Sequence, residues 1–271
     1  MPDTIIKRRR WTVKGYHAYP LTEDDHGLPD YQKWLDLDML VAAAKKGDFR
    51  RMPELPARVA AADDWVRRGD DVALLGDAGD SKTLARVRDE ILPACSDSVM
   101  RLAYAEVLCY WGSLSTVPVL IEQYRKYHFS EDAWTIAEWL SRLMEKKPGV
   151  LNDFPTEDDD EEAEAYCRVA RSRYEELKGL LGTDDVVLFR GNVVGIDNIC
   201  QRMLDDLRDK QFHEEMRHKF EAWTGVDCSG FYQNEVLQPL SAAAIIEDFL
   251  DSPERARYGA GERYFFGHRL A

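Results

Sequence analysis

The sequence lacks the features that most often reveal a protein's chemistry. Its longest unbroken apolar run is the six residues Met39 to Ala44, whereas a membrane-spanning helix needs about 20. The basic cluster Lys7 to Arg10 leads into Trp11 and polar residues rather than a signal-peptide core, so a cytoplasmic protein with no membrane association is expected. Cysteine is sparse: Cys95, Cys109, Cys167, Cys200 and Cys228 include no Cys-x-x-Cys, and the closest pair is 14 apart. That spacing offers neither a zinc knuckle nor a redox motif, and reduced thiols are the expectation. No Gly-x-Gly-x-x-Gly, Gly-x-x-x-x-Gly-Lys-Ser/Thr or Gly-x-Ser-x-Gly occurs, which removes the sequence signatures of dinucleotide, P-loop and α/β-hydrolase sites. His213 and His218 flank Glu214 and Glu215, but they are five apart. A zincin places its histidines four apart, on one helical face, so the expectation is exposed histidines on a surface helix. Cys228, in Asp227-Cys228-Ser229-Gly230, reads as structural because no motif-linked histidine accompanies it. The expected sites are therefore without catalytic residues, cofactor or metal.

What the chain does have is core material and acid. Of 271 residues, 45% are apolar and 11% aromatic, ample for a packed interior. Basic residues number 36 against 50 acidic, a net charge of −14. The imbalance is concentrated late: residues 1–68 carry net +2, residues 69–150 net −4, and residues 151–271 net −12. Nucleic-acid binding requires a basic face to neutralise phosphates, so this charge excludes it as an expectation and favours a basic protein partner.

Helical periodicity dominates. Residues 1–30, with Gly15, Pro20, Gly27 and Pro29, read as an irregular arm. Trp34, Leu37, Leu40, Val41 and Ala44 form one stripe of a helix over 31–46 that Gly47 ends. Leu55, Val59, Ala62 and Val66 predict a second helix over 54–68, with Gly69 as its stop. The middle of the chain repeats itself at a period of 33: Gly79 aligns with Gly112, Thr83 with Thr116, Leu84 with Val117 and Val87 with Leu120. Each unit reads as a glycine turn and two helices, the second starting near Ser98 and Glu131 after the N-cap candidates Asp97 and Ser130.

These residues resemble HEAT repeats, the paired-helix units of α-solenoids. Thr116 to Glu122 resembles the family's first helix. Asp97 to Ser113 resembles the second, with Met100 in the valine position and Arg101 in the arginine position. The resemblance covers about residues 70–145 and implies a stack presenting a long binding surface; stability needs about three units, so residues 31–68 are expected to supply a degenerate first one. Enzymes of HEAT-like build fit poorly. Their hydroxylases carry repeated His-Glu pairs, of which this chain has one, and their glycosylases need a basic groove.

The expected fold is mostly α: an arm over 1–30, a short HEAT-like array over 31–148, an acidic linker over 149–162, and a C-terminal helical region over 163–271 carrying a small β element. In that region a helix is marked by Ala163, Tyr166, Ala170, Tyr174, Leu177 and Leu181. A strand is expected at Val186 to Phe189 with a turn at Arg190 to Asn192, one long helical region from Ile196 to Trp223, a helix capped by Ser241, and a strand at Tyr264 to Phe266. The acidic run Glu157, Asp158, Asp159, Asp160, Glu161 and Glu162 either stays extended and solvated or favours the start of the following helix through its dipole. It is one half of the candidate partner-binding set. The other half is Glu131, Thr135, Glu138 and Arg142 along the second repeat's inner helix, joined by Tyr127 and Trp134 because too many aromatics crowd 110–139 for all to point inward. An acidic, motif-poor chain with so short an array, with the stretches Phe220 to Phe231 and Gly261 to Arg269, resembles the immunity proteins of bacterial polymorphic and contact-delivered toxin systems. The resemblance implies a non-catalytic protein that occludes a basic toxin domain. The alternatives are a HEAT-like adaptor in a housekeeping assembly and, behind it, a HEAT-like lyase-type enzyme.

Overall fold

A computed structural model describes residues 15–17, 26–27, 31–63, 65–130, 132–146, 149, 151, 159–210, 212, 214–234 and 236–270. Most of the N-terminal arm, together with Glu131, Glu157, Asp158 and His213, lies outside the described residues. The chain divides into two units. One is made of residues 1–80 and 195–271, the other of residues 81–194. This division differs from the boundaries expected at 148 and 162: the helices of 31–68 group with the C-terminal residues.

The first part of unit one holds α1 (Tyr31–Ala44), α2 (Leu55–Ala61) and α3 (Trp65–Ala78). The expected stripe of α1 is buried throughout, and Gly47 turns the chain at φ +81°. The expected helix over 54–68 instead breaks after Ala61, where Ala62 adopts an extended conformation, and Gly69 sits inside α3. Glycine inside a helix costs about 1 kcal/mol relative to alanine. Burial of every residue from Asp70 to Gly79 outweighs that cost.

Unit two begins with α4 (Ser81–Arg86), which runs through a π-helical turn, Val87–Ile91, to Leu92–Ala94. Then come α5 (Ser98–Trp111), α6 (Val117–Tyr127), α7 (Asp132–Met144) and α8 (Asp160–Leu181). The Asp97 side chain accepts the Met100 amide, the expected N-cap, and Gly112 closes α5 in the left-handed region. Ser130 does not cap through its side chain: its hydroxyl donates to the Tyr127 carbonyl. The helical pairs α4/α5 and α6/α7 keep the 33-residue offset of the sequence. Helix α5 packs on α7, and α8 lies on α6 and α7. The acidic run is partly helix rather than linker. Asp159 accepts the Glu161 and Glu162 amides, and Asp160 to Glu162 form the first turn of α8, where the helix dipole favours them. The hairpin β1 (Leu188–Phe189) and β2 (Asn192–Val193) ends the unit.

Unit one resumes with α9 (Ile196–Asp209) and α10 (Glu214–Thr224). The single long helix expected here is interrupted at Lys210, whose φ is +58°. Of the expected stripe Ile199, Met203, Leu207, Phe212, Met216, Phe220 and Trp223, all are buried except Phe212, which is half-buried. A second hairpin, β3 (Tyr232–Gln233) with β4 (Val236–Leu237), leads to α11 (Pro239–Asp251), which starts at a proline with Ser241 already inside it. The chain then forms the hairpin β5 (Tyr264–Phe265) and β6 (His268–Arg269). The protein is thus mostly α with three two-stranded antiparallel hairpins among the described residues. No helix among them is long and apolar enough to cross a membrane.

Candidate partner-binding face

The candidate residues of unit two are positioned by the core of α7. Ala133, Ile136, Ala137 and Leu140 are fully or almost fully buried, as the spacing predicts. Helical geometry then turns Trp134, Glu138 and Arg142, one turn apart, away from that core. Trp134 is 54% exposed, and Glu138 pairs with Arg142 at 2.6 Å on the surface. Thr135 is half-buried.

At the α6–α7 turn the chain gathers aromatic surface. Arg101, itself buried on α5, places its guanidinium 3.5 Å above the centre of the Tyr127 ring. Phe129, in the turn itself, is 62% exposed, with its ring centre 6.5 Å from that of Tyr127. His128 Nε2 lies 3.1 Å from Asp160 Oδ1, which brings the acidic first turn of α8 beside this aromatic turn. Arg125 bridges Glu122 at 2.6 Å and Glu164 at 3.6 Å, tying α6 to α8. Of the candidate set, the structure therefore sets Tyr127, at the end of α6, near the acidic first turn of α8 with Asp159, Asp160, Glu161 and Glu162, while Trp134, Thr135, Glu138 and Arg142 lie along α7.

Phe129 is the residue this set missed. Its signal was an apolar side chain between His128 and Ser130 in a polar turn. Trp111 and Tyr124 are core, as their positions imply, and Tyr110 and Trp139 are half-buried. Glu106, half-buried on α5, has its carboxyl pushed up to about 7 by burial, against the pull of Arg142. The face thus carries aromatic anchors, carboxylates and one proton-sensitive glutamate.

Unit one carries a different polar cluster. His218 is not the exposed surface residue expected of its motif: it is 2% exposed, with Nε2 2.7 Å from Asp77 Oδ2. Tyr16 Oη donates to the same oxygen at 2.9 Å, and Lys219 Nζ lies 3.6 Å from Oδ1. Burial alone raises the Asp77 carboxyl, but His218, Lys219 and Tyr16 outweigh it and hold the pKa below the usual carboxylate range. Arg217 pairs with Glu221 at 3.1 Å, both 1% exposed, and Glu221 also accepts the His17 amide at 2.9 Å. These groups, most of them buried, pair with one another and join residues 15–17 and α10 to the end of α3. A polar α10 face survives because it is paired, and periodicity alone cannot distinguish a paired buried face from a solvated one.

Among the described residues no three His, Cys, Asp or Glu side chains stand close enough to hold a metal ion. All five cysteines are free, with Cys167, Cys200 and Cys228 buried and Cys95 and Cys109 half-buried. No protein-family model matches the chain, and no curated protein or solved structure does.

Proposed function

We propose that this chain is a non-catalytic protein-binding protein, an immunity protein that neutralises a cognate bacterial toxin by covering its active surface. The observation that carries the reading is exposed Phe129, with half-buried Tyr127, in the α6–α7 turn beside the acidic start of α8, followed by exposed Trp134 in the first turn of α7. Large, rigid aromatic side chains bury much area at low entropic cost and dominate interface energies, and surrounding polar groups exclude water. Arg101 under Tyr127 holds one ring in place before any partner arrives, which reduces the cost of ordering on binding. Asp159 to Glu162 supply a negative field that speeds encounter with a basic toxin domain and orients it. In this reading no turnover occurs: inhibition is steric and electrostatic.

The test begins with capture of the partner from the native organism on the immobilised chain, followed by Trp134→Ala and Phe129→Ala in a binding assay and in a growth-rescue assay with the captured toxin. Each substitution is expected to weaken binding about thirtyfold or more, the scale of a hot-spot truncation, and to abolish rescue. Charge reversal of Asp160, Glu161 and Glu162 is expected to slow association at low salt and to matter little at high salt. A captured partner that is not toxic, or wild-type affinity in both aromatic variants, overturns the proposal.

A further inference from the structure

The tail hairpin of unit one borders a groove of about 600 Å³, within the size range of small-molecule sites. Its lining comes from one short stretch of chain: Arg257 ahead of the hairpin, then Glu262, Tyr264, Phe266, His268 and Arg269. The Tyr264 hydroxyl fixes that stretch. It accepts the Gly259 amide at 2.8 Å, donates to Glu262 Oε2 and lies 3.0 Å from the Arg257 carbonyl. Glu262 is thereby engaged on both oxygens, since Arg269 Nη2 lies 2.6 Å from its Oε1. His268 is anchored through Nε2, which donates to the Lys45 carbonyl at 3.2 Å. Phe266, half-buried, supplies an apolar wall. The guanidiniums are not used up. Arg257 is exposed and makes no ion pair among the described residues. Arg269 is 69% exposed and keeps donors beyond the one facing Glu262. Glu254, three residues before Arg257, stays outside the lining and makes no ion pair with it. The lining therefore sets two guanidiniums against one carboxylate, a net +1, although residues 151–271 together carry −12.

We propose that this groove binds a small organic oxyanion, a phosphate monoester or a carboxylate, with its head on Arg257 and Arg269 and its body against Phe266. The planar guanidinium fork matches the oxygens of such a head and makes charge-assisted hydrogen bonds to them. The acidity of the surrounding chain selects against extended polyanions, whose further charges would fall on like charge outside the groove. A single-headed ligand confines its charge to the one place where the lining is positive. The Tyr264 hydroxyl ties the rim together before a ligand arrives, which lowers the cost of ordering on binding. Glu262 opposes the ligand and limits its affinity, so removing that charge has an effect of predictable sign. The site shares no residue with the aromatic turn of unit two and stands independently of the partner-binding reading.

The experiment is calorimetric titration of the full chain with phenyl phosphate at low ionic strength, with phenol as the neutral analogue. Saturable one-to-one binding is expected for phenyl phosphate, about tenfold or more tighter than for phenol and weakened by added salt. Arg257→Gln is expected to weaken it about tenfold. Glu262→Gln is expected to tighten it about threefold by removing the opposing charge. Arg257 is exposed, and glutamine at 262 still accepts the Tyr264 hydroxyl, so both variants keep the wild-type circular dichroism. Arg255, on the same turn, pairs with Asp197 at 2.7 Å and does not line the groove; Arg255→Gln is expected to leave binding unchanged. Benzoate distinguishes the sources of the oxyanion. Tighter binding than phenyl phosphate assigns the site to a carboxylate, weaker binding to a phosphate, and either result supports an oxyanion site. An absence of saturable binding, equal affinity for phenol, equal losses in Arg255→Gln and Arg257→Gln, or weaker binding in Glu262→Gln overturns it.

Discussion

Hairpins β1–β2 and β5–β6 solve one problem with two sequences. Each turns through two residues in the left-handed region, Arg190 and Gly191 at φ +49° and +67°, Phe266 and Gly267 at φ +49° and +75°. Each directs both turn amides at the last turn of a helix. Arg190 and Gly191 donate to the Arg142 and Leu143 carbonyls of α7 at 2.7 and 2.9 Å; Phe266 and Gly267 donate to the Ala222 and Trp223 carbonyls of α10 at 2.7 and 2.8 Å. Helix C-termini leave carbonyls without intrahelical partners, and a primed hairpin turn supplies two free amides already aligned. The difference lies in what else each hairpin does. Arg263, just before β5, is buried and donates to the Gly76, Asp77 and Gly79 carbonyls at the end of α3. Val187, just before β1, is apolar and buried and bridges Ser113, and Leu188 donates to the carbonyl of Gly112, the residue that closes α5, at 2.7 Å. Each hairpin therefore reaches a second helix end, the tail hairpin through a buried guanidinium and the other through its backbone.

The largest expected effects test that double role. Burial holds the Arg263 guanidinium down at about 10, against Asp77 and Asp80, so its stabilising work is the three carbonyls it satisfies. Arg263→Met fills similar space but leaves those acceptors without a donor, and is expected to cost about 3–5 kcal/mol in denaturant unfolding. Val187→Ala, at the corresponding place in the other hairpin, is expected to cost about 1–3 kcal/mol by lost burial alone. A smaller loss for Arg263→Met than for Val187→Ala breaks the comparison.

The two turn glycines come next. Alanine in the left-handed region costs about 1–2 kcal/mol. A methyl at Gly267 meets nothing closer than Tyr258 Oη at 3.5 Å, so Gly267→Ala is expected to cost only that strain. A methyl at Gly191 meets the Met144 carbonyl oxygen at 2.7 Å, backbone that cannot yield. Gly191→Ala should then lose about 1–3 kcal/mol more, the scale of overpacking. Equal losses at the two sites, measured as unfolding midpoints, show that strain alone matters.

Much of this architecture was readable because helical burial is periodic. The stripes of α1, α7 and α9, the Asp97 cap and the 33-residue offset between α4/α5 and α6/α7 all follow from spacing. The hairpins were readable in part, since Arg190-Gly191 and Phe266-Gly267 follow short apolar runs, but nothing local says that their amides end helices about 45 residues earlier in sequence. Long-range pairing also explains what was misread. Gly69 looks like a stop until the burial of α3 is seen, and His218 looks exposed until Asp77, 141 positions away, is placed against it. The aromatic turn was half legible: Tyr127 and Trp134 stood out, while Phe129 and the Arg101 stack needed coordinates.

A further contrast sets the paired acids of unit one against Glu106 of unit two, whose carboxyl sits at about 7 because burial outweighs Arg142. A folded pKa raised above the unfolded value near 4.3 means the protonated form is the one the fold prefers. The contribution is complete below the unfolded value and is lost as pH rises through about 7. Glu106→Gln removes that loss and should stabilise the protein by about 1–2 kcal/mol at alkaline pH, with little change at acid pH. Asp77 titrates with the opposite sign: its depressed pKa contributes stability above the unfolded value and loses it as pH falls. A Glu106→Gln variant whose unfolding midpoint tracks wild type at every pH refutes the assignment.

The smallest effect, at Glu138, sharpens the same contrast at fixed spacing against a buried pair. Arg217–Glu221 and Glu138–Arg142 are both ion pairs four residues apart on a helix, but the first is 1% exposed on both sides and the second 51% and 35%. Breaking the buried pair leaves a carboxylate that neither water nor salt can reach, so Arg217→Met is expected to cost about 3–5 kcal/mol and to be insensitive to salt. Breaking the surface pair loses only a screened attraction already offset by ordering two long side chains. Glu138→Gln should therefore cost less than about 0.5 kcal/mol at low salt and nothing measurable at about 1 M salt, where the screening length falls to about 3 Å. If Glu138 also meets a basic partner, the same substitution slows association with that partner at low salt far more than it alters folding. Measuring both quantities on one variant separates a side chain kept for a partner from one kept for the helix. A stability loss that persists at high salt places Glu138 in the fold rather than in the binding face.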